Sequence, residues 1–116
     1  MTARFGFPST LRLRKRAEFL LLSHEGSKVH QSHFLLIYRH RSDGCFRFGI
    51  TVSRKVGDSV TRNRVKRLVR EVCRHAASVP PADYSIIARK GAGLLGVDAV
   101  RVELEKAFRQ VVSKPR

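Results

Sequence analysis

The sequence predicts an α+β fold: one domain, one sheet, helices packed on it, in the order α-β-β-β-α-β-α. Three observations lead there. Apolar and polar residues alternate along 46–53, the period of a half-buried strand. Two later segments, about 60–76 and 98–111, repeat their apolar residues at helical spacing. The whole chain has 116 residues, a length that suits one core. Area scaling leaves roughly 6,400 Å² exposed out of about 19,000 Å² for the extended chain, so a core forms without disulfide or metal staples.

Residues 1–13 carry Arg4, Arg12 and a Pro8-Ser9-Thr10 breaker, which predicts a basic N-terminal arm. The folded domain is expected over 14–112, with a short tail at 113–116. A first helix is expected over 14–23, with Ala17, Phe19, Leu20, Leu21 and Leu22 as its apolar surface and Gly26 as its stop. A short extended piece at 28–30 precedes a strand at 33–39 that is apolar on both faces. In the next strand Phe46, Phe48, Ile50 and Val52 alternate with Arg47, Gly49, Thr51 and Ser53. Ser42-Asp43-Gly44 between these two strands predicts a hairpin. Gly57-Asp58 marks a turn before the long helix. Val79-Pro80-Pro81 ends that region, 84–89 reads as a strand, and Asp98 is placed to cap a last helix carrying Val100, Leu104, Ala107, Phe108 and Val111.

Charge narrows the function. Lys and Arg number 24 against 9 Asp and Glu, a formal net charge of +15, which favours a polyanionic partner. On a wheel with Val65 at 0°, Leu68, Val69, Val72 and Ala76 fall within about 60° of it, forming a core stripe. Asn63, Arg67, Arg70 and Arg74 fall opposite, at about 140–200°, with Lys66 near 100°. An ordinary solvated face mixes signs, yet only Glu71 offers a counter-charge here. Arg62 and Arg64 stand in the first turn, where the helix dipole disfavours cations. A helix that breaks local rules this often serves a site, and guanidinium forks suit phosphates. Arg54-Lys55 after one strand and Arg89-Lys90 after another collect at one sheet end if those strands are neighbours. Thr51, Ser53 and the aromatic Phe19 add a surface suited to single-stranded nucleic acid.

Other patterns lead nowhere. His30 and His33 lack metal-ligand company. Gly91-Ala-Gly93-Leu-Leu-Gly96 lacks the Gly-Lys-Ser/Thr ending of a phosphate loop and reads as a flexible connection. Cys45 and Cys73 form no disulfide framework, and Cys73 reads as a small core residue, so a cytoplasmic location is expected. The carboxylates are scattered, and no catalytic group is expected on the polypeptide.

The block Phe48-Gly-Ile-Thr-Val-Ser-Arg-Lys-Val-Gly57 followed by Arg62-Asn-Arg-Val-Lys-Arg-Leu-Val-Arg70 closely resembles the bacterial ribonuclease P protein component. Arg12-Leu-Arg-Lys with Phe19, and Asp83-Tyr-Ser-Ile-Ile-Ala-Arg-Lys90, extend the likeness over most of the chain. The resemblance implies a ribosomal protein S5 domain 2-like fold with a left-handed β-α-β crossover. It also implies a partnership with a catalytic RNA that uses Mg²⁺ to cut the 5′ leader from precursor tRNA, with one protein per RNA and no cofactor on the protein alone. Arg62, Asn63, Arg64, Lys66, Arg67, Arg70 and Arg74 would then face the RNA subunit. Phe19, Leu35, Ile37, Thr51, Ser53, Arg54, Lys55 and Lys90 would lie in or beside a cleft for the leader. Ser23 and Ile37 stand where that family often has aromatic residues. Two other readings of the charge are a structural RNA-binding protein of the ribosomal type and a DNA major-groove reader. Against the latter, Asn63 is a single base-reading candidate on the helix.

Overall fold

The computed structural model of the chain describes residues 16–41, 46–75 and 79–113, without the side chains of Arg16, Glu18, Phe19, Val112 and Ser113. Its elements are α1 (Arg16–Glu25), β1 (Ser27–His30), β2 (Phe34–His40), β3 (Arg47–Val52), a 3-10 turn (Arg54–Val56), α2 (Ser59–His75), β4 (Ala82–Ala88), a second 3-10 turn (Ala92–Leu94) and α3 (Val97–Ser113). The expected order of helices and strands is thus the observed one. The arm at 1–13, the Arg12–Lys15 cluster, Cys45, Ala76 and residues 114–116 lie outside the described residues.

The strands form one sheet in the order β1-β2-β4-β3. Antiparallel pairs join β1 to β2 and β2 to β4, whereas β3 runs parallel to β4. The expected β2–β3 hairpin is therefore incorrect: β4 lies between those strands, and the hairpin is β1–β2. Burial explains the substitution. Five of the seven β4 residues are buried, on both faces, and such a strand gains most from having neighbours on both sides. β3 exposes Thr51 and so suits an edge. Since β3 and β4 are parallel, α2 becomes the crossover between them.

The sheet has two unequal faces. On one, Phe34, Leu36, Tyr38, Phe48, Val52, Tyr84 and Ile86 meet Val65, Val69 and Val72 of α2 and Val100, Leu104, Ala107, Phe108 and Val111 of α3. At its centre the Tyr84 ring stacks on Phe48 at 5.3 Å and meets Phe108 edge-on at 5.5 Å. The Tyr84 hydroxyl, held in this core, donates to the Pro80 carbonyl at 2.6 Å. Cys73 is buried here as expected, and burial raises its thiol pKa. On the other face a smaller cluster, Leu22 of α1 with Ile37, is flanked by Leu35 and Ile87. Gly26 allows α1 to close down: a Cβ there would stand 2.6 Å from the Ile37 Cγ2.

Local devices fix the helix ends. Asp58, expected as part of a turn, accepts the Thr61 N–H at 2.9 Å and so caps α2. Asp98 does not cap α3. The helix begins one residue earlier, so Asp98 lies inside its first turn, where the dipole favours a carboxylate, and accepts from Arg101 at 2.7 Å. His33 anchors the β1–β2 turn to α3: its backbone N–H donates to Glu103 at 2.6 Å, and its Nδ1 lies 3.0 Å from the other oxygen.

Candidate nucleic-acid interface

α2 separates its residues as the wheel requires. Val65 and Val69 are fully buried, while Asn63, Arg67 and Arg70 are exposed one turn apart on the opposite side. Among the described residues, Asn63, Lys66, Arg67 and Arg70 make no hydrogen bond or ion pair. The remaining members of the predicted set are arranged differently. Arg62 is half-buried and reaches the Ser59 hydroxyl at 3.5 Å, while its buried Nε has no partner among the described residues. Arg74 pairs with Glu71, the carboxylate that also lies 2.9 Å from His75. Arg64 turns inward and donates to the Gly93 carbonyl at 3.2 Å and the Leu95 carbonyl at 2.7 Å.

The second surface is the sheet face that α1 covers only in part. The registers set two rows across it: His30, Leu35, Ile87, Thr51, and beside it Lys28, Ile37, Ser85, Gly49. Four strands at about 4.8 Å spacing make each row roughly 14 Å wide. Thr51 is exposed and Leu35 half-buried, whereas Ile37 is 4% exposed and packs with Leu22 of α1. The Phe19 side chain lies outside the described residues. Because β3 and β4 are parallel neighbours, with Val52 opposite Ala88, Ser53, Arg54 and Lys55 leave the sheet at the same end as Lys90. Arg54, Lys55 and Lys90 are all exposed there.

Sequence reasoning missed the β1 side of this face. Lys28 and His30 stand on it, and Arg89 crosses the end of β2 to place a guanidinium nitrogen 2.9 Å from the His30 Nδ1. Only the β1–β2 register brings them together, and a four-residue strand gives too little pattern to predict a register. Several carboxylates among the described residues are engaged elsewhere. Asp83 accepts from Arg41 at 2.9 Å and from Arg47 at 3.0 Å. Burial opposes its charged form, but the two arginines outweigh burial and hold its pKa below the ordinary value. No group of three or more His, Cys, Asp or Glu among the described residues is arranged to hold a metal. None of the described helices is long and apolar enough to cross a membrane.

Comparison with known proteins gives these surfaces a family. The ribonuclease P family model matches residues 7–112. The ribonuclease P protein component of Geotalea uraniireducens is 44% identical over 108 residues, covering 92% of this chain and 96% of that protein. That of Geobacter sp. strain M21 is 40% identical over 109 residues, covering 93% and 94%. Among solved structures, the RNase P protein of Staphylococcus aureus superposes with a TM-score of 0.79 at 29% identity, covering 87% of this chain and 94% of that one. The RNase P protein of Thermotoga maritima gives 0.77 at 32% identity, covering 85% and 96%. With a match along nearly its whole length in sequence and in fold, this chain belongs to the bacterial ribonuclease P protein family.

Proposed function

We propose that the chain is the protein subunit of ribonuclease P, the ribonucleoprotein endoribonuclease that frees the 5′ end of tRNA from its leader. The observation that carries this is the bare cationic line on α2, opposite a fully buried apolar stripe on the same helix. In this reading Asn63, Lys66, Arg67 and Arg70 dock on the RNA subunit, with Arg62 and Arg74 at the margins. The partly open sheet face takes the single-stranded leader: Leu35 and Thr51 line it, and Ser53, Arg54, Lys55 and Lys90 meet its phosphates at one end, with Phe19 of α1 as the stacking residue that the family resemblance assigns. Extended RNA suits such a surface because bases lie on apolar and aromatic groups while cations follow the backbone.

The chemistry belongs to the RNA. Mg²⁺ bound by that RNA would supply the water activation and charge stabilisation that phosphodiester hydrolysis needs. Four of the described carboxylates have other work: Asp83, Glu103, Asp58 and Glu71 each serve an arginine, a histidine or a helix end. What the protein supplies is positive charge against phosphate repulsion and a fixed path for the leader, which together lower the Mg²⁺ needed. A cytoplasmic complex of one protein with one RNA follows from this role.

Reconstitution tests the proposal. Adding the chain to a bacterial ribonuclease P RNA at low Mg²⁺, with a precursor tRNA, is expected to raise the rate of 5′ cleavage. An unchanged rate rejects the assignment.

A further inference from the structure

The connection between β4 and α3 was expected to be flexible, and it is instead a closely held turn. Gly91 adopts a left-handed conformation, φ 96°, that favours glycine. Ala92 is fully buried, and successive N–H groups donate back along the turn, Leu94 to Gly91 at 3.1 Å and Leu95 to Ala92 at 3.1 Å. Gly93 lies so close to α2 that a Cβ would stand 2.7 Å from the Thr61 Cγ2 and 3.0 Å from the Val56 carbonyl oxygen. The Arg64 guanidinium then grips the carbonyls on either side of Leu94. For all this restraint, the Leu94 side chain is 91% exposed.

Its neighbourhood suggests what covers it. Gly93 touches Thr61, and the residue before Thr61 is Val60, a second aliphatic side chain, 77% exposed. Both lie at the end of α2 that carries Arg62 and Asn63. Two exposed aliphatic side chains, one on α2 and one on a restrained turn packed against its start, are continuous with the RNA-docking face, and their closest chemical match is the flat face of an unstacked base or a ribose. Rigidity matters because a backbone already fixed loses little further entropy on contact.

We propose that Leu94, together with Val60 of the first α2 turn, packs against a nucleobase or sugar of the RNA subunit, and that Arg64 is a positioning residue that holds the Leu94 backbone in place. This rests on α2 being the RNA-docking helix. Arg64 thus acts on RNA binding through the turn, in contrast to Arg67 and Arg70, which meet phosphates directly.

Affinity of the full chain for a bacterial ribonuclease P RNA, measured across a salt series, tests this. Leu94→Ala is expected to weaken binding about tenfold with an unchanged salt dependence, since an apolar contact releases no counterions. Arg64→Ala should do the same, and the double variant should be no weaker than Arg64→Ala alone, because both changes remove one contact. Arg67→Ala serves as the reference, its log–log salt slope shallower by about 0.7–0.9. Leu94→Ala binding within twofold of the parent overturns the proposal. So does an Arg64→Ala slope that falls as the Arg67→Ala slope does, with losses that multiply in the double variant. Should Arg64→Ala melt early, Leu94→Ala still decides, because it truncates a side chain standing in solvent. If Arg67→Ala changes neither affinity nor slope, the docking of α2 itself is refuted, a result distinct from either failure above.

Discussion

Asp58 shows how one carboxylate makes a cation-rich helix end tolerable. The Thr61 N–H and hydroxyl hydrogen-bond it, Arg62 adds positive charge, and its pKa falls below the ordinary 3.8. A folded-state pKa lower than the unfolded one means stability that is complete above about 3.8 and lost as the pH drops through the folded value. Asp58→Asn keeps a capping oxygen without the charge. Its melting temperature should therefore lie below the parent's by a constant gap from pH 5 to 7, and the gap should close in stronger acid. Thermal melts at a series of pH values check this. Arginines of the same helix separate by their partners. Arg67→Ala is expected to weaken RNA binding by about 1–3 kcal/mol, the range for a lost charge-assisted hydrogen bond. Arg74→Ala should cost less, since Arg74 is already paired with Glu71. Filter binding of both variants, with melts as a control, measures the difference.

Among the elements, Asp83 does for the sheet what Asp58 does for α2. It lies on the central strand and accepts from Arg47 at the start of β3 and from Arg41 just beyond β2. These bonds reinforce a strand order that chain sequence does not favour, since β2 and β3 are successive yet separated. Asp83→Ala is expected to destabilise the fold by about 1.5–3 kcal/mol, read from denaturant midpoints, as two arginines lose a shared charged partner. The same strand order marks the limit of what the sequence discloses. The stripes of α2 and α3 are legible because 3.6-residue periodicity is written in the residues themselves, and Val65, Val69, Leu104 and Phe108 are all buried as expected. Ser42-Asp43-Gly44 is an equally local signal, but it describes a change of direction and not a partner. Partnership is settled by the strand with most to bury on both faces, a comparison across distant segments. The partners of Arg64 are hidden from the sequence for a similar reason. On the wheel it lies about 100° from Val65, which looks like surface, and only the fold brings Gly93 and Leu95 within its reach.

For the whole molecule, the proposed function has the sheet divide a net charge of +15 between two tasks. α2 packs on one face and turns its cations away from it, while α1 crosses the opposite face and leaves Thr51 and Leu35 accessible beside Arg54, Lys55 and Lys90. RNA subunit and leader can then be bound at once without competing for the same arginines. If about six phosphates are neutralised on assembly, log affinity for the RNA subunit should fall with log salt at a slope of about −4 to −5. The division also predicts that the two surfaces fail separately. In the assembled enzyme, Arg54→Ala with Lys90→Ala should reduce the preference for precursor over mature tRNA while leaving RNA-subunit affinity within about twofold, if the proposed division of the surfaces holds. Phe19→Ala should follow the same pattern through lost stacking. Arg67→Ala should do the reverse, requiring more protein to saturate the RNA and then showing normal precursor preference. The measurement is the ratio of precursor to mature tRNA dissociation constants at saturating protein. A ratio that falls equally in all these variants would mean that a single surface carries both RNAs, and the sheet would no longer act as a partition.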